Sequence, residues 1–412
     1  MIQTSRYPVV AIFLVFALGY FLSSFVRGVI ATLAPVLVTE FSLSSGQLGL
    51  LGGAYFLGFA VLQLPLGNWL DRFGPRDVLL TCLVGAVLSC VAFALAQGFM
   101  SLLLARLLGG IGVSACLIAP LTAARLWLSK DFQQSVNSWM LMAGSLGLLG
   151  ATLPVQWVLP LFGWRPIFYV IAALFVLVAV GTAWKVPNER KPAALGSSQT
   201  LIESYKPIFG NRYFKHIAFL GFINYGILVA VQTLWAGPWM TNVSGYSVDQ
   251  AAKGLFAINL TMLVVFWVWG LVNPRLYKAG VTPERMMVWG LPLSVLSLAV
   301  IAWLGRSAGW EAFAVFCICS SVLAATHPAV GMAFSTNEAG RAISAFNLLL
   351  FLGVFFTQWC VGAGIDLLKA TGWAAEQAYR LIFSILSILS FLSYLWFVWG
   401  QRKRHLTLEA AA

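Results

Sequence analysis

Charged side chains are scarce in this chain. Aspartate, glutamate, lysine and arginine together make up 9% of its 412 residues, whereas 60% of the residues are hydrophobic. Soluble globular domains are about a quarter charged, and no soluble fold can hide so much apolar surface from water. The composition therefore excludes a soluble protein and indicates that lipid is the solvent for most of the chain.

Two further patterns are not visible in the sequence, namely closely spaced cysteine pairs and a cleavable signal peptide. The six cysteines lie inside apolar runs and form no CxxC pair, so we expect neither a disulfide framework nor a metal site. The first apolar run is too long for a signal peptide and lacks a cleavage site, and we interpret it as a transmembrane span. No nucleophile–base set or phosphate loop is evident, so we expect neither an enzyme nor a bound cofactor.

Apolar runs long enough to cross a bilayer, about 20 residues each, recur along the whole chain. They lie at 8–38, 46–70, 77–97, 100–128, 135–160 and 166–186, then at 215–240, 252–273, 285–305, 310–334, 341–365 and 377–400. We therefore predict an all-α membrane protein with twelve transmembrane helices. The helices should form two six-helix bundles, over 1–186 and 215–412, joined by a cytoplasmic linker over 187–214.

The basic residues predict the orientation. The net charge is +12, from 25 basic and 13 acidic residues. Most of the basic residues fall in the termini, the linker and those loops that lie on one side of twelve alternating spans, and such an excess marks the cytoplasmic side. We expect a monomeric, multi-pass protein of the bacterial inner (plasma) membrane with both termini in the cytoplasm. Because the basic charge is spread over many short loops, it does not indicate a nucleic-acid partner.

A short motif lies between the second and third spans, where Gly67, Asp71, Arg72, Gly74 and Arg76 fit the pattern G-x-x-x-D-R-x-G-x-R. Glycines at these positions permit a sharp bend and a close helix approach. The motif resembles the signature of the major facilitator superfamily, at the place where that superfamily carries it. The resemblance implies a secondary transporter made of two pseudo-symmetric six-helix bundles.

We expect this motif, together with Arg106 and Arg125, to act as a conformational latch. Asp71 can cap the following helix or pair with a basic residue at a neighbouring helix end, and Arg125 is such a residue. The equivalent turn of the second half, at 270–275, keeps a glycine and an arginine but lacks the aspartate. A symmetric second latch is therefore not expected.

Further patterns belong to the same resemblance. Arg106 opens an R-x-x-x-G-x-G pattern in the fourth span that is similar to the pattern of that helix in the superfamily. Asn137 and Asn347 lie at corresponding places in the fifth and eleventh spans, as two related halves would place them. The glycine–proline motif of drug/proton antiporters is absent from the fifth span, which argues against drug export.

Arg27 lies well inside the first span. A charged side chain at the bilayer centre costs about 2.5–3.5 kcal/mol, and no acidic residue lies in the middle of any span. Tyr20, Ser23, Ser24 and Arg27 are spaced so that they share one helix face. Because a guanidinium group binds carboxylate or phosphate by paired hydrogen bonds, this face predicts an anion site. The alternative is that Arg27 bonds backbone carbonyl groups or extends outward to water.

The sequence around Arg27, at 25–27, 34–35 and 40–44, also resembles the anion:cation symporter branch of the superfamily. This resemblance implies that the arginine of the first helix holds an anionic substrate.

Two other ionisable residues lie within the spans. Arg106 lies near the start of the fourth span, so we expect its guanidinium group to extend to the membrane surface; otherwise it adds a second positive charge to the cavity. His327 precedes Pro328 in the tenth span. It is a candidate for proton coupling, because the pKa of histidine lies near neutrality, and the alternative is a packed, hydrogen-bonding histidine.

Polar and aromatic residues on other spans complete the predicted substrate site beside Tyr20, Ser24 and Arg27. Each of them could instead join neighbouring helices by hydrogen bonds. These candidates are Tyr55, Asn137, Tyr225, Gln232, Trp235, Asn347 and Gln358.

The sequence thus predicts a secondary active transporter that moves a small organic anion or zwitterion across the inner membrane by alternating access. Symport with a proton or a sodium ion, uniport and exchange all remain open. A second hypothesis is transport of a neutral, peptide or metal-chelate substrate, with a structural role for Arg27. A third, from a different class, is a membrane sensor that binds a ligand without transporting it.

Overall fold

The computed structural model describes residues 9–127, 130–188 and 201–409. Over these ranges the chain is helical and contains no β-strand. Ten of the described helices are long and apolar enough to cross a membrane, and the pair Val136–Gly150 and Leu153–Phe162, bent by 42°, makes an eleventh if it forms one span. The predicted all-α membrane architecture is confirmed.

The second predicted span accounts for the difference from twelve. It forms the shorter helix Ser45–Val61, and helical structure resumes at Gln63. The next element, Gln63–Ala94, contains Gly74 in a non-helical conformation, with φ 81° and ψ 161°. This element therefore holds the end of the second span, a sharp turn and the third span. Because this conformation is essentially restricted to glycine, the turn explains the glycine of the motif.

Contacts within the chain divide it into two units. The first unit comprises Met1–Leu43 and Ala54–Ser197, and the second comprises Ser44–Gly53 and Ser198–Ala412. The sequence did not predict that the short segment Ser44–Gly53 groups with the second unit.

The first unit is an assembly of long helices around an aromatic core. The ring of Phe93 lies 4.3 Å from that of Phe168 and 5.5 Å from that of Trp164, centroid to centroid. Glu40 joins the end of the first helix to this core, since it accepts a hydrogen bond from Trp164 Nε1 at 2.7 Å and pairs with Arg165 at 2.6 Å. The helices of this unit are α1 (Val9–Phe41), the second part of α2 (Ser45–Val61), α3 (Gln63–Ala94), α4 (Phe99–Val113), α5 (Ala115–Trp127), α6 (Lys130–Gly150), α7 (Leu153–Phe162) and α8 (Arg165–Lys185).

The second unit contains two irregular spans. A π-helical turn, Val231–Trp235, interrupts the seventh span, and a 3₁₀ turn, Ser321–Ala325, interrupts the tenth. Such turns inside helices often mark functional sites. The helices of this unit are α9 (Leu201–Gly210), α10 (Arg212–Ala230), α11 (Ala236–Asn242), α12 (Val248–Lys278), α13 (Pro283–Leu304), α14 (Trp310–Ser320), α15 (Thr326–Ala333), α16 (Thr336–Ala370) and α17 (Ala375–Glu409).

Part of the predicted linker is helical. Tyr205 and Ile208 of α9 are buried, and Arg341 of α16 donates a hydrogen bond to the carbonyl oxygen of Ser204 at 3.3 Å. The helix that follows begins at a capping residue, since Asn211 Oδ1 accepts from the backbone N–H of Phe214 at 3.1 Å. The polar composition of the linker did not predict this docked helix.

A capping network holds the start of α2. Ser44 and Gln47 form a reciprocal capping box, in which each side chain accepts the backbone N–H of the other at 3.2 and 3.0 Å. The carboxylate of Asp366, on α16, accepts the backbone N–H groups of Ser45 at 3.0 Å and Gly46 at 2.6 Å. A negative charge at a helix N-terminus also interacts favourably with the helix dipole.

Glycines bring α2 and α16 together after this cap. A Cβ atom on Gly49 would lie 2.2 Å from the carbonyl oxygen of Gln358, and one on Gly362 would lie 2.1 Å from that of Ser45. The backbones therefore touch, as small residues permit between helices in membranes. These contacts explain why Ser44–Gly53 groups with the second unit.

Asp366→Ala should lower the unfolding temperature, because two backbone N–H groups lose their acceptor and the loss of an N-cap costs about 0.5–2 kcal/mol. Thermal unfolding of the purified protein in detergent measures the change. Asp249→Ala is the matched control, since Asp249 pairs with Lys253 at an exposed i,i+4 position, where a pair contributes only about 0.2–0.5 kcal/mol. Equal unfolding temperatures for the two variants would contradict the capping role.

Candidate functional site

The polar face of α1 that the sequence predicts lies within the first unit. Ser23 and Ser24 are 3% and 1% exposed, whereas Tyr20 and Arg27 are half-buried. Tyr20 packs against Gly144 of α6, where a Cβ atom would lie 2.4 Å from the ring. Arg27 donates from Nη2 to Ser24 Oγ at 3.1 Å. The face therefore places a positive charge beside hydroxyl groups.

Arg106 on α4 is buried, and the expectation that it extends to the membrane surface is wrong. The residue is 2% exposed, and its Nη1 donates to the carbonyl oxygen of Val26 at 2.7 Å. Its Cζ atom lies 4.9 Å from the centroid of the Tyr55 ring, which is an attractive cation–π contact. Because α1 and α2 both hold the guanidinium group, it stays inside the helix assembly.

The Arg106 guanidinium group is only partly bonded. Its Nε and Nη2 atoms are buried and have no hydrogen-bond partner in the part of the chain that the structure describes. No ion pair involves Arg106 in that part either. A buried charged donor without an acceptor is costly. A ligand with negatively charged oxygen atoms would therefore be stabilised at this position.

Tyr55 contacts both helices that carry the arginines. Its hydroxyl group donates to the carbonyl oxygen of Ser23 on α1 at 3.0 Å, and its ring faces the guanidinium group of Arg106 on α4 at 4.9 Å. The first unit thus brings together two guanidinium groups and three hydroxyl groups from α1, α2 and α4. We call this cluster, formed by Ser23, Ser24, Arg27, Tyr55 and Arg106, the arginine site.

Glycines allow the helices of the arginine site to approach closely. A Cβ atom on Gly110 would lie 1.9 Å from the carbonyl oxygen of Tyr55, and one on Gly58 would lie 2.1 Å from that of Leu107. Gly110 is the first glycine of the R-x-x-x-G-x-G pattern, about one turn after Arg106. The pattern therefore marks a close contact between α2 and α4. From this pattern, the position of Arg106 inside the site could have been predicted.

Three candidate residues of the second unit bond to side chains or backbone within that unit. Gln358 donates from Nε2 to Thr233 Oγ1 at 3.0 Å, and its carbonyl oxygen accepts from Trp235 Nε1 at 3.2 Å. Gln232 donates from Nε2 to Asn259 Oδ1 at 3.1 Å. All three candidates are buried. These bonds favour a role in joining helices over contact with a substrate.

The remaining candidates are more accessible. His327 Nε2 and Asn347 Oδ1 are 2.9 Å apart, which is consistent with a proton on Nε2 when the amide oxygen accepts. Tyr225 packs edge-on against Phe351, with 6.3 Å between ring centroids. Tyr225, His327 and Asn347 are half-buried, and Asn137 on α6 is exposed.

The motif residues make a contact that the sequence did not predict. Asp71 and Arg125 are exposed, and no ion pair joins them within the described ranges. Arg76 donates instead to the carbonyl oxygen of Ala183, near the end of α8, where helix carbonyl groups attract a cation. A Cβ atom on Gly67 would have no described atom within 4 Å outside the local helix. The expectation of a close approach between helices at Gly67 is therefore wrong.

Comparison with known proteins identifies the family. The sequence matches the Major Facilitator Superfamily over residues 16–358, which is more than half of the chain. This chain belongs to the major facilitator superfamily. Among its relatives in that superfamily, the cis,cis-muconate transport protein of Acinetobacter baylyi is 32% identical over 162 residues, covering 39% of this chain and 38% of that protein. The probable sulfoacetate transporter SauU of Cupriavidus necator is 24% identical over 291 residues, covering 64% of each chain.

The chain spans less than two thirds of the length of these curated relatives. Both relatives are named as transporters, which agrees with the expectation of a major facilitator protein rather than an enzyme.

Solved structures of the superfamily share the fold. A bacterial homologue of the human lysosomal transporter Spinster superposes with a TM-score of 0.74 at 18% identity, covering 97% of this chain and 98% of that chain. A D-xylose–proton symporter superposes with a TM-score of 0.72 at 17% identity, covering 93% and 97%. At these identities the likeness establishes the fold alone.

Arg106→Met should preserve or raise the unfolding temperature, because it removes a buried charge whose bonding is incomplete. Apolar replacement of buried ionic groups is often neutral or stabilising by about 1–4 kcal/mol, and thermal unfolding in detergent measures this. Arg165→Met is the matched control: it breaks the 2.6 Å ion pair with Glu40 and should lower the unfolding temperature. If Arg106→Met destabilises the protein more than Arg165→Met does, the partial bonding of Arg106 is contradicted.

Proposed function

We propose that this major facilitator protein is a secondary active transporter that moves a small organic anion across the bacterial inner membrane by alternating access. The arginine site binds the negative group of the substrate. The observation that supports this most strongly is Arg106, which presents two buried nitrogen atoms without acceptors in the described part of the chain. Arg27 adds a second positive charge, which lies beside the hydroxyl group of Ser24 at 3.1 Å.

The chemistry of the arginine site favours an anion over the other substrate classes. A cationic substrate would be repelled by two guanidinium groups where water is largely excluded. A neutral sugar would accept hydrogen bonds but leave the charge uncompensated. A carboxylate both neutralises the charge and matches the planar donor fork of arginine. Relatives named for cis,cis-muconate and sulfoacetate transport support the same class of substrate.

We propose the orientation from the distribution of basic residues, which places both termini in the cytoplasm. The coupling ion is a proton or a sodium ion, and His327, held by Asn347 at 2.9 Å, is the candidate for proton coupling. Uptake into vesicles under an imposed proton gradient or an imposed sodium gradient distinguishes these ions from each other.

Arg27→Ala should strongly reduce uptake of the anionic substrate while the amount of protein in the membrane stays unchanged. Hydrogen bonds to a charged group contribute about 1.5–3 kcal/mol each, so uptake should fall by about tenfold or more. Arg27→Lys, which keeps the charge but not the donor fork, should retain part of the activity. Uptake of labelled small organic acids, including cis,cis-muconate and sulfoacetate, measures this.

Arg306→Ala is the matched control for Arg27→Ala. It also removes one positive charge, but from an exposed pair with Glu376 in the second unit, and should leave uptake unchanged. Unchanged uptake in Arg27→Ala would overturn the anion proposal and favour a neutral, peptide or metal-chelate substrate. Binding without substrate counterflow in liposomes would favour a ligand sensor.

A further inference from the structure

Tyr55 contacts the Arg106 guanidinium group and the turn of α1 that precedes Arg27, but it is itself enclosed by protein. The residue is 2% exposed, and the rings of Phe56 and Phe59 lie 5.3 and 6.4 Å from its ring, centroid to centroid. Its hydroxyl oxygen lies 3.0 Å from the carbonyl oxygen of Ser23 and 3.4 Å from Ser23 Oγ. A side chain whose ring and hydroxyl group are both engaged in this way has no free polar group for a substrate.

The hydroxyl end of Tyr55 acts on the turn of α1 that carries Arg27. In an α-helix, a carbonyl oxygen accepts the backbone N–H four residues later, and α1 is helical throughout Val9–Phe41. The carbonyl oxygen of Ser23 is thus shared between the Tyr55 hydroxyl group and the backbone of Arg27. The hydrogen bond from Tyr55 therefore fixes the position of the helical turn from which the Arg27 side chain extends.

The ring end of Tyr55 acts on Arg106. The ring supports the guanidinium group at 4.9 Å, while Nη1 bonds the carbonyl oxygen of Val26 at 2.7 Å. Val26 directly precedes Arg27, so both guanidinium groups are tied to one turn of α1. Gly110 also holds α4 tightly against α2 at Tyr55, since a Cβ atom on Gly110 would lie 1.9 Å from the carbonyl oxygen of Tyr55.

We infer that Tyr55 is a positioning residue that sets the spacing between the Arg27 and Arg106 guanidinium groups. Two guanidinium groups at a fixed spacing favour an anion whose two carboxylates match it, because the site is preorganised before the anion binds. Tyr55 thereby determines the preference for a dicarboxylate over a monocarboxylate. The inference rests on the proposed function, since it concerns the affinity of the same site for anions.

Tyr55→Phe tests this inference, because it keeps the ring against Arg106 and removes only the bond to Ser23. The half-saturation concentration for the best-transported dicarboxylate of a panel of small organic acids should rise about three- to tenfold, the effect of one net hydrogen bond. For a monocarboxylate of the same panel, which needs no fixed spacing, it should change less than about twofold. Tyr55→Leu also loses the cation–π contact and should weaken dicarboxylate binding by about another two- to fivefold.

Tyr394→Phe is the matched control. The Tyr394 hydroxyl group donates to the carbonyl oxygen of Val288 at 3.0 Å in the second unit, so its loss breaks an equivalent bond outside the arginine site. For a variant that transports too slowly for an uptake measurement, the shift in unfolding temperature that each acid induces measures the preference between the acids instead. If Tyr55→Phe and Tyr394→Phe keep the same preference between the acids, the inference is overturned and the proposed function stands. If the unmodified protein takes up neither acid, the proposed function itself fails.

Discussion

One carbonyl oxygen and one aromatic ring hold the cationic side chain of Arg106 inside the first unit, and the charge selectivity of the proposed site follows from this contact. The Arg106 guanidinium group is buried, bonded to Val26 and stacked on Tyr55, and two of its nitrogen atoms have no acceptor in the described residues. Such a group is costly in a lipid-embedded protein. Under the proposed function, an anionic substrate would supply the missing acceptors and offset this cost, and the site would select its substrate by charge.

The helix packing makes this arrangement possible. Gly110 lets α4 touch α2 at Tyr55. The ring of Tyr55 then contacts Arg106, and its hydroxyl group bonds the turn of α1 before Arg27. In the second unit, glycines and the Asp366 cap hold the first residues of α2 on α16 in a comparable way. The first residues of α2 thus belong to the second unit, and its remainder, which includes Tyr55, belongs to the first unit.

Much of the fold could be predicted from the sequence, because a run of about 20 apolar residues has few alternatives to a membrane span. Gly74 could also be assigned to a sharp turn, and the spacing of Ser24 and Arg27 placed them on one face. The depth of Arg106 could not be predicted, because it depends on a carbonyl oxygen of another helix. Whether Gln358 joins helices or binds a substrate was likewise open, since amides serve both roles.

The proposed function requires the protein to recognise the negative charge of its substrate. Calorimetric titration of the purified protein measures this recognition, with a panel of small organic acids and the uncharged amide of each acid as ligands. The amides keep the shape of the acids, but each replaces the charged carboxylate by a neutral group with one acceptor oxygen and one NH2 donor. At least one acid should bind, and its amide should bind at least about tenfold more weakly, as expected for loss of a charge-assisted hydrogen bond. Equal affinity for an acid and its amide would show that the protein does not recognise the charge.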